Sequence, residues 1–69
     1  MQTKLIALRK INGVTQKSLA NLIGLSVKQY SKKELGKFEF TCDEMFKIAK
    51  YFKMQVDDIF LPTLHQNGV

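Results

Sequence analysis

The residues best equipped for chemistry in this chain are hydrogen-bond donors. Lys28, Gln29, Lys32, Lys33 and Lys37 fall close together, with few acids nearby, and Gln16 stands a short way upstream. An ammonium group donates and never accepts, while a glutamine amide does both. Such a set suits a polyanion such as DNA, or the carboxylates of an acidic partner. A merely solvated face has the same composition, so placement has to decide. No rival chemistry competes. The single cysteine, Cys42, cannot close an internal disulfide and reads as a small core residue; the single histidine, His65, leaves no partner set for zinc. No Cys/His pair, no carboxylate pair apart from helix-capping positions and no glycine-rich phosphate loop is present. The expectation is a protein with no catalytic residues, no metal and no cofactor. At 69 residues there is little room for a pocket that would take a small-molecule substrate.

Length allows one domain, and a hydrophobic content of 45% argues for a folded globule. The formal net charge is +5. No apolar run approaches the ~20 residues that span a bilayer. The opening apolar stretch "LIAL" is too short for a signal peptide. Lack of disulfides fits a reducing compartment. A soluble cytoplasmic protein with no membrane role is expected.

Five short helices must position the donors. Leu5, Leu8 and Ile11 keep helical spacing through "TKLIALRKI", which Asn12-Gly13 ends. Thr15 caps a second helix at about 16–23, with Leu19, Ala20 and Ile23 inward. Gly24 stops it. Ser26 and Gln29 form a capping box for a third helix at about 27–35, anchored by Tyr30, with Gly36 beyond its end. Thr41 and Glu44 form a second box before a fourth helix, whose Met45, Phe46, Ile48, Ala49 and Phe52 read as core. "VDDIFL" gives a short fifth helix with acids at its positive end. Residues 1–61 then make the domain, and 62–69 a flexible C-terminal tail. No segment alternates apolar and polar residues for long, so a sheet is not expected.

A helix, a glycine turn and a second helix describe a helix-turn-helix. Its two helices cross steeply, so their contact needs a small side chain, which Ala20 supplies. The turn needs positive φ, which Gly24 accepts without strain. The next helix would present its N-terminal half to a major groove. The stretch "LRKINGVTQKSLANLIGLS", the "E-x-G-K" at Glu34 to Lys37 and "KIAKYFKMQVDDIF" together resemble the Cro/repressor-type helix-turn-helix family, also called the XRE family, over roughly Thr3 to Phe60. The chain is also similar to small temperate-phage regulators, Cro-like or of the modulator-of-repression type.

The resemblance implies an all-α, compact five-helix domain that regulates transcription from a double-stranded DNA operator, usually as a homodimer, with the third helix as reader. It gives Gln16 a phosphate contact, and sets Val27, Lys28 and Lys32 at base edges with Gln29 beside them. It puts Lys37 and the amides near Gly36 on phosphate. It makes Arg9 and Glu34 a buried ion pair joining the first and third helices. The side chains suit these roles: lysine donates to guanine, glutamine pairs with adenine, and Val27 packs on a thymine methyl. Lys28 and Lys32 also suit phosphate, and the residue types leave both open.

The sequence departs from the family pattern where Lys33 replaces a branched apolar residue, Leu35 an asparagine and Phe40 a proline. Extra apolar surface on a basic module points to a second class of function. In it, the scaffold grips a partner repressor as a modulator or antirepressor, through Lys33, Leu35, Phe38 and Phe40.

Overall fold

A computed structural model of the chain describes residues 1–62. All regular structure among them is helical, in the order α1 (Thr3–Ile11), α2 (Gln16–Leu22), α3 (Val27–Glu34), α4 (Cys42–Phe52) and α5 (Val56–Ile59). The two central helices stop one residue short of the expected bounds, because Ile23 and Leu35 are their C-caps. Positions 63–69, which include His65 and nearly all of the expected tail, lie outside the described residues.

Local chemistry sets the helix starts. The Thr15 hydroxyl accepts from the Ser18 N–H at 3.1 Å. At α3 the Gln29 N–H donates to Ser26 Oγ at 3.1 Å, and the Ser26 N–H donates back to Gln29 Oε1 at 3.0 Å. Thr41 and Glu44 repeat that reciprocal pattern at α4. Each arrangement satisfies N–H groups that a first turn leaves without partners. The ends of α4 and α5 carry no glycine signal, and α4 is capped by Lys53, a left-handed residue with φ 58°.

Leu5, Leu19, Tyr30, Ile48 and Ile59 are fully buried, with Ala20 and Ala49 beside them. Phe40 packs edge-on between Tyr30 and Phe60, with ring centroids 5.8 and 5.2 Å away. That placement corrects its assignment to a partner-binding surface, since only 8% of Phe40 is exposed. An aromatic here closes the core under the α3–α4 loop, where "KFEF" suggested exposed rings. Ile11, at the very end of α1, is 83% exposed, so the buried stripe runs from Leu5 only as far as the partly covered Leu8. Two core assignments are also corrected. Phe46 is 65% exposed, because it lies one position off the stripe of Met45, Ile48, Ala49 and Phe52 and so a quarter-turn around the helix. Cys42 is the exposed first residue of α4.

Candidate nucleic-acid interface

The α2–α3 corner is built from backbone. Gly24 takes φ +75°, and the Leu25 N–H returns to the Ala20 carbonyl at 2.9 Å. No atom lies within 4 Å of where a Gly24 Cβ would stand, so the requirement there is conformational and not steric. Ala20 is fully buried where α2 packs on α3.

Glu34 locks the corner. Its Oε2 accepts from Arg9 Nε at 3.0 Å and from the Tyr30 hydroxyl at 2.7 Å. Its Oε1 accepts from Arg9 Nη2 at 3.1 Å and from Gln16 Nε2 at 2.8 Å. Arg9 Nη1 reaches on to the Val14 carbonyl at 3.2 Å. One carboxylate thus joins α1, α2 and α3, and its acceptor positions are filled. Burial alone would raise the Glu34 pKa, but bonds from Arg9, Tyr30 and Gln16 outweigh it and hold the group below the usual carboxylate range. The Tyr30 hydroxyl is pushed well above its ordinary value, by burial first and then by the bond to Glu34. Arg9 is raised further still, chiefly by its hydrogen bond to Glu34.

The site residues singled out from sequence divide into three groups. Val27, Lys28 and Lys37 are exposed, and neither lysine has an ion-pair or hydrogen-bonding partner for its side chain among the described residues. Gln16 and Gln29 are partly occupied. Gln16 gives one of its two amide N–H bonds to Glu34, leaving the other for a phosphate. Gln29 Oε1 accepts one N–H in the capping box, which leaves its Nε2 and the second oxygen lone pair for an outside partner. The third group is turned inward. Lys33 Nζ lies 2.6 Å from Glu44 Oε1, with both side chains mostly buried, which corrects its place on a partner-binding surface. The pair stands where the resemblance implied an apolar side chain, and it ties α3 to the start of α4. Leu35 and Phe38 stay exposed, and Lys32 is half-buried beside Phe38.

Residue-by-residue reading missed two features. Eight of the eleven Lys and Arg residues fall within the first 38 positions, where Glu34 is the single acid and is buried under Arg9. That stretch carries +7, and the remainder carries −2. Lys10 and Lys17 belong to the basic part and are exposed. The split was countable from the sequence. Gln2 left no such signal. Its N–H donates to the Glu34 carbonyl at 2.9 Å, its Nε2 to the Leu61 carbonyl at 3.1 Å, and its Oε1 accepts from the Leu61 N–H at 2.7 Å.

Among the described residues no helix is long and apolar enough to cross a membrane, and no three potential metal-binding side chains converge. No solved structure gives a significant match to the chain. A curated protein from Methanocaldococcus jannaschii, described as an uncharacterized HTH-type transcriptional regulator, is 36% identical over 61 residues, which cover 88% of this chain and 92% of that protein. The model of a helix-turn-helix family matches residues 5–59, from the first buried leucine of α1 to the last residue of α5. The chain belongs to that helix-turn-helix family.

Proposed function

We propose that this protein is a DNA-binding transcriptional regulator that sets α3 in the major groove. One observation carries the reading: α3 is fixed at its C-terminal end by the Glu34 network, while its N-terminal half offers Val27, Lys28 and Gln29 to solvent with no acid among them. The name of the archaeal relative supports the same class. The basic first 38 residues supply general attraction to phosphate, and the fixed helix lets Lys28 and Val27 discriminate between base edges. Lys37, Gln16 and the amides near Gly36 fix the register on the backbone. Repression or Cro-like switching by a homodimer on a two-fold operator, of the kind found in temperate phages, belongs to this reading and rests on the sequence resemblance.

A duplex selected from a randomised pool tests it. Lys28→Ala should lose ~1–3 kcal/mol on the selected site and relax preference at one position. Lys37→Ala should weaken all duplexes alike and lower the salt slope by about one. A pool that yields no enriched site would sink sequence-specific binding.

Capture of a partner repressor is the second reading, and exposed Leu35 and Phe38 favour it. Its proposed surface has narrowed, because Phe40 is core and Lys33 is paired with Glu44. A complex with the DNA-binding domain of a co-encoded repressor, formed in the absence of any duplex selectivity, would put this reading first.

A further inference from the structure

Phe38 is 58% exposed, directly after the basic turn that follows α3. Its position is not left to chance. The N–H groups of Lys37 and Phe38 both return to the Lys32 carbonyl, at 2.9 and 3.4 Å. This hook brings the ring back along α3, and the Lys32 ammonium sits over it, 5.9 Å from the centroid. Leu25, Gln29, Lys32, Lys33 and Phe38 together line a shallow hollow of ≈ 360 Å³. Lys33 is already neutralised by Glu44, whereas Lys32 has no acid within ion-pair distance among the described residues. The aromatic face is therefore its charged group's neighbour.

We infer that Phe38 is a positioning residue for DNA binding, holding the Lys32 ammonium against its ring so that the remaining donors meet a backbone phosphate. The inference rests on the DNA-binding reading above and assigns a role within it. Lys32 lies in the last turn of α3, and base edges are read mainly from the N-terminal part of a recognition helix. A phosphate at the groove edge is accordingly its fitting partner. A ring face attracts an ammonium and limits its rotamers without neutralising it, as a carboxylate would. Lysine side chains otherwise surrender considerable rotamer freedom on binding, and an ordered one surrenders less. Because the ring carries no charge, the full positive charge stays available to the phosphate.

The test is fluorescence anisotropy with the full chain and a labelled mixed-sequence duplex, since a phosphate contact does not depend on sequence. Phe38→Leu keeps apolar bulk but removes the aromatic face. It should weaken binding by about two- to fivefold, the range expected for an exposed cation–π contact, with an unchanged thermal midpoint. Phe38→Trp should bind at least as well as wild type. Lys32→Ala should lower the salt slope by about one, and Phe38→Leu should then add nothing further. The proposal falls if Phe38→Leu binds like wild type, if its effect persists in the Lys32→Ala background, or if it lowers the thermal midpoint. In any of these cases a loss in the Lys28→Ala variant would leave DNA binding through α3 standing. Wild-type protein that binds no duplex at all would remove both.

Discussion

Gly24 and Gly36 look alike in the sequence and differ in what surrounds them. Both take positive φ, +75° and +89°, but a Cβ on Gly24 would meet open space. A Cβ on Gly36 would stand 2.9 Å from the backbone nitrogen of Met1, nearer than such contacts occur. Relief would have to move the Met1–Gln2 segment, whose Gln2 N–H is bonded to the Glu34 carbonyl. Gly24→Ala should therefore cost about 1–2 kcal/mol, the conformational penalty alone. Gly36→Ala should cost more, about 2–3 kcal/mol, as that penalty is joined by a lost buried hydrogen bond. Urea midpoints of the two variants check the order, and equal losses would mean that the Met1–Gln2 contact carries no weight. The residue scale also shows what sequence could not provide. Positive φ at Gly24 was legible from its place after a helical stripe. The approach of Met1 to Gly36, or of Gln2 to Leu61, depends on segments distant in sequence and has no local signature.

Helix starts were the most legible elements, because a capping box is a contact within four residues. The Ser26–Gln29 and Thr41–Glu44 boxes could be named from spacing and recur in the structure. Side chains bridging two elements were harder to read. Lys33 broke the family pattern in a way that suggested exposed partner-binding surface, yet its charge is met by Glu44 from the next helix. The capping carboxylate thus has a second task, accepting both the Thr41 N–H at 2.9 Å and the Lys33 ammonium. Burial alone would raise the Glu44 pKa; the bonds from Lys33 and Thr41 keep it below the usual range instead. Lys33→Met would preserve the stem that covers the core but leave that carboxylate short of a donor. It should lose about 1–3 kcal/mol, less than a fully stranded buried charge because Thr41 still donates. Adding Glu44→Gln should recover most of the loss, since the amide oxygen can still accept the Thr41 N–H. Chemical denaturation of the single and double variants measures this. A Lys33→Met protein as stable as wild type would show that the pair does not hold α3 to α4.

At the scale of the whole molecule, fold class was legible because apolar spacing, caps and turns all agreed along the chain, which is the consistency that a foldable sequence displays. The charge distribution has a further consequence, for stability against pH. Glu34 and Glu44 are both held below the ordinary 4.5, so the folded protein binds fewer protons than the unfolded chain as acid is added. Their contribution is complete above about pH 5 and is lost as pH falls through the depressed folded values. Protonating the six acids also leaves eleven Lys and Arg residues unopposed, which adds repulsion in the same direction. On the alkaline side the sign reverses. Tyr30 is raised above its ordinary 10.0, so its contribution is complete below that value and is lost as pH rises through the higher folded one. The thermal midpoint should therefore hold a plateau from about pH 5 to about pH 9, and fall on both sides. Glu34→Gln should lower the plateau, because Arg9 is left without its counter-charge, and should flatten the acid limb. Tyr30→Phe should flatten the alkaline limb and, because its hydroxyl helps hold Glu34 down, should also shrink the acid limb, though less than Glu34→Gln does. Melting curves across this range decide the matter: a wild-type midpoint that does not fall between about pH 5 and about pH 3 would mean that the Glu34 network does not set the acid stability of the fold.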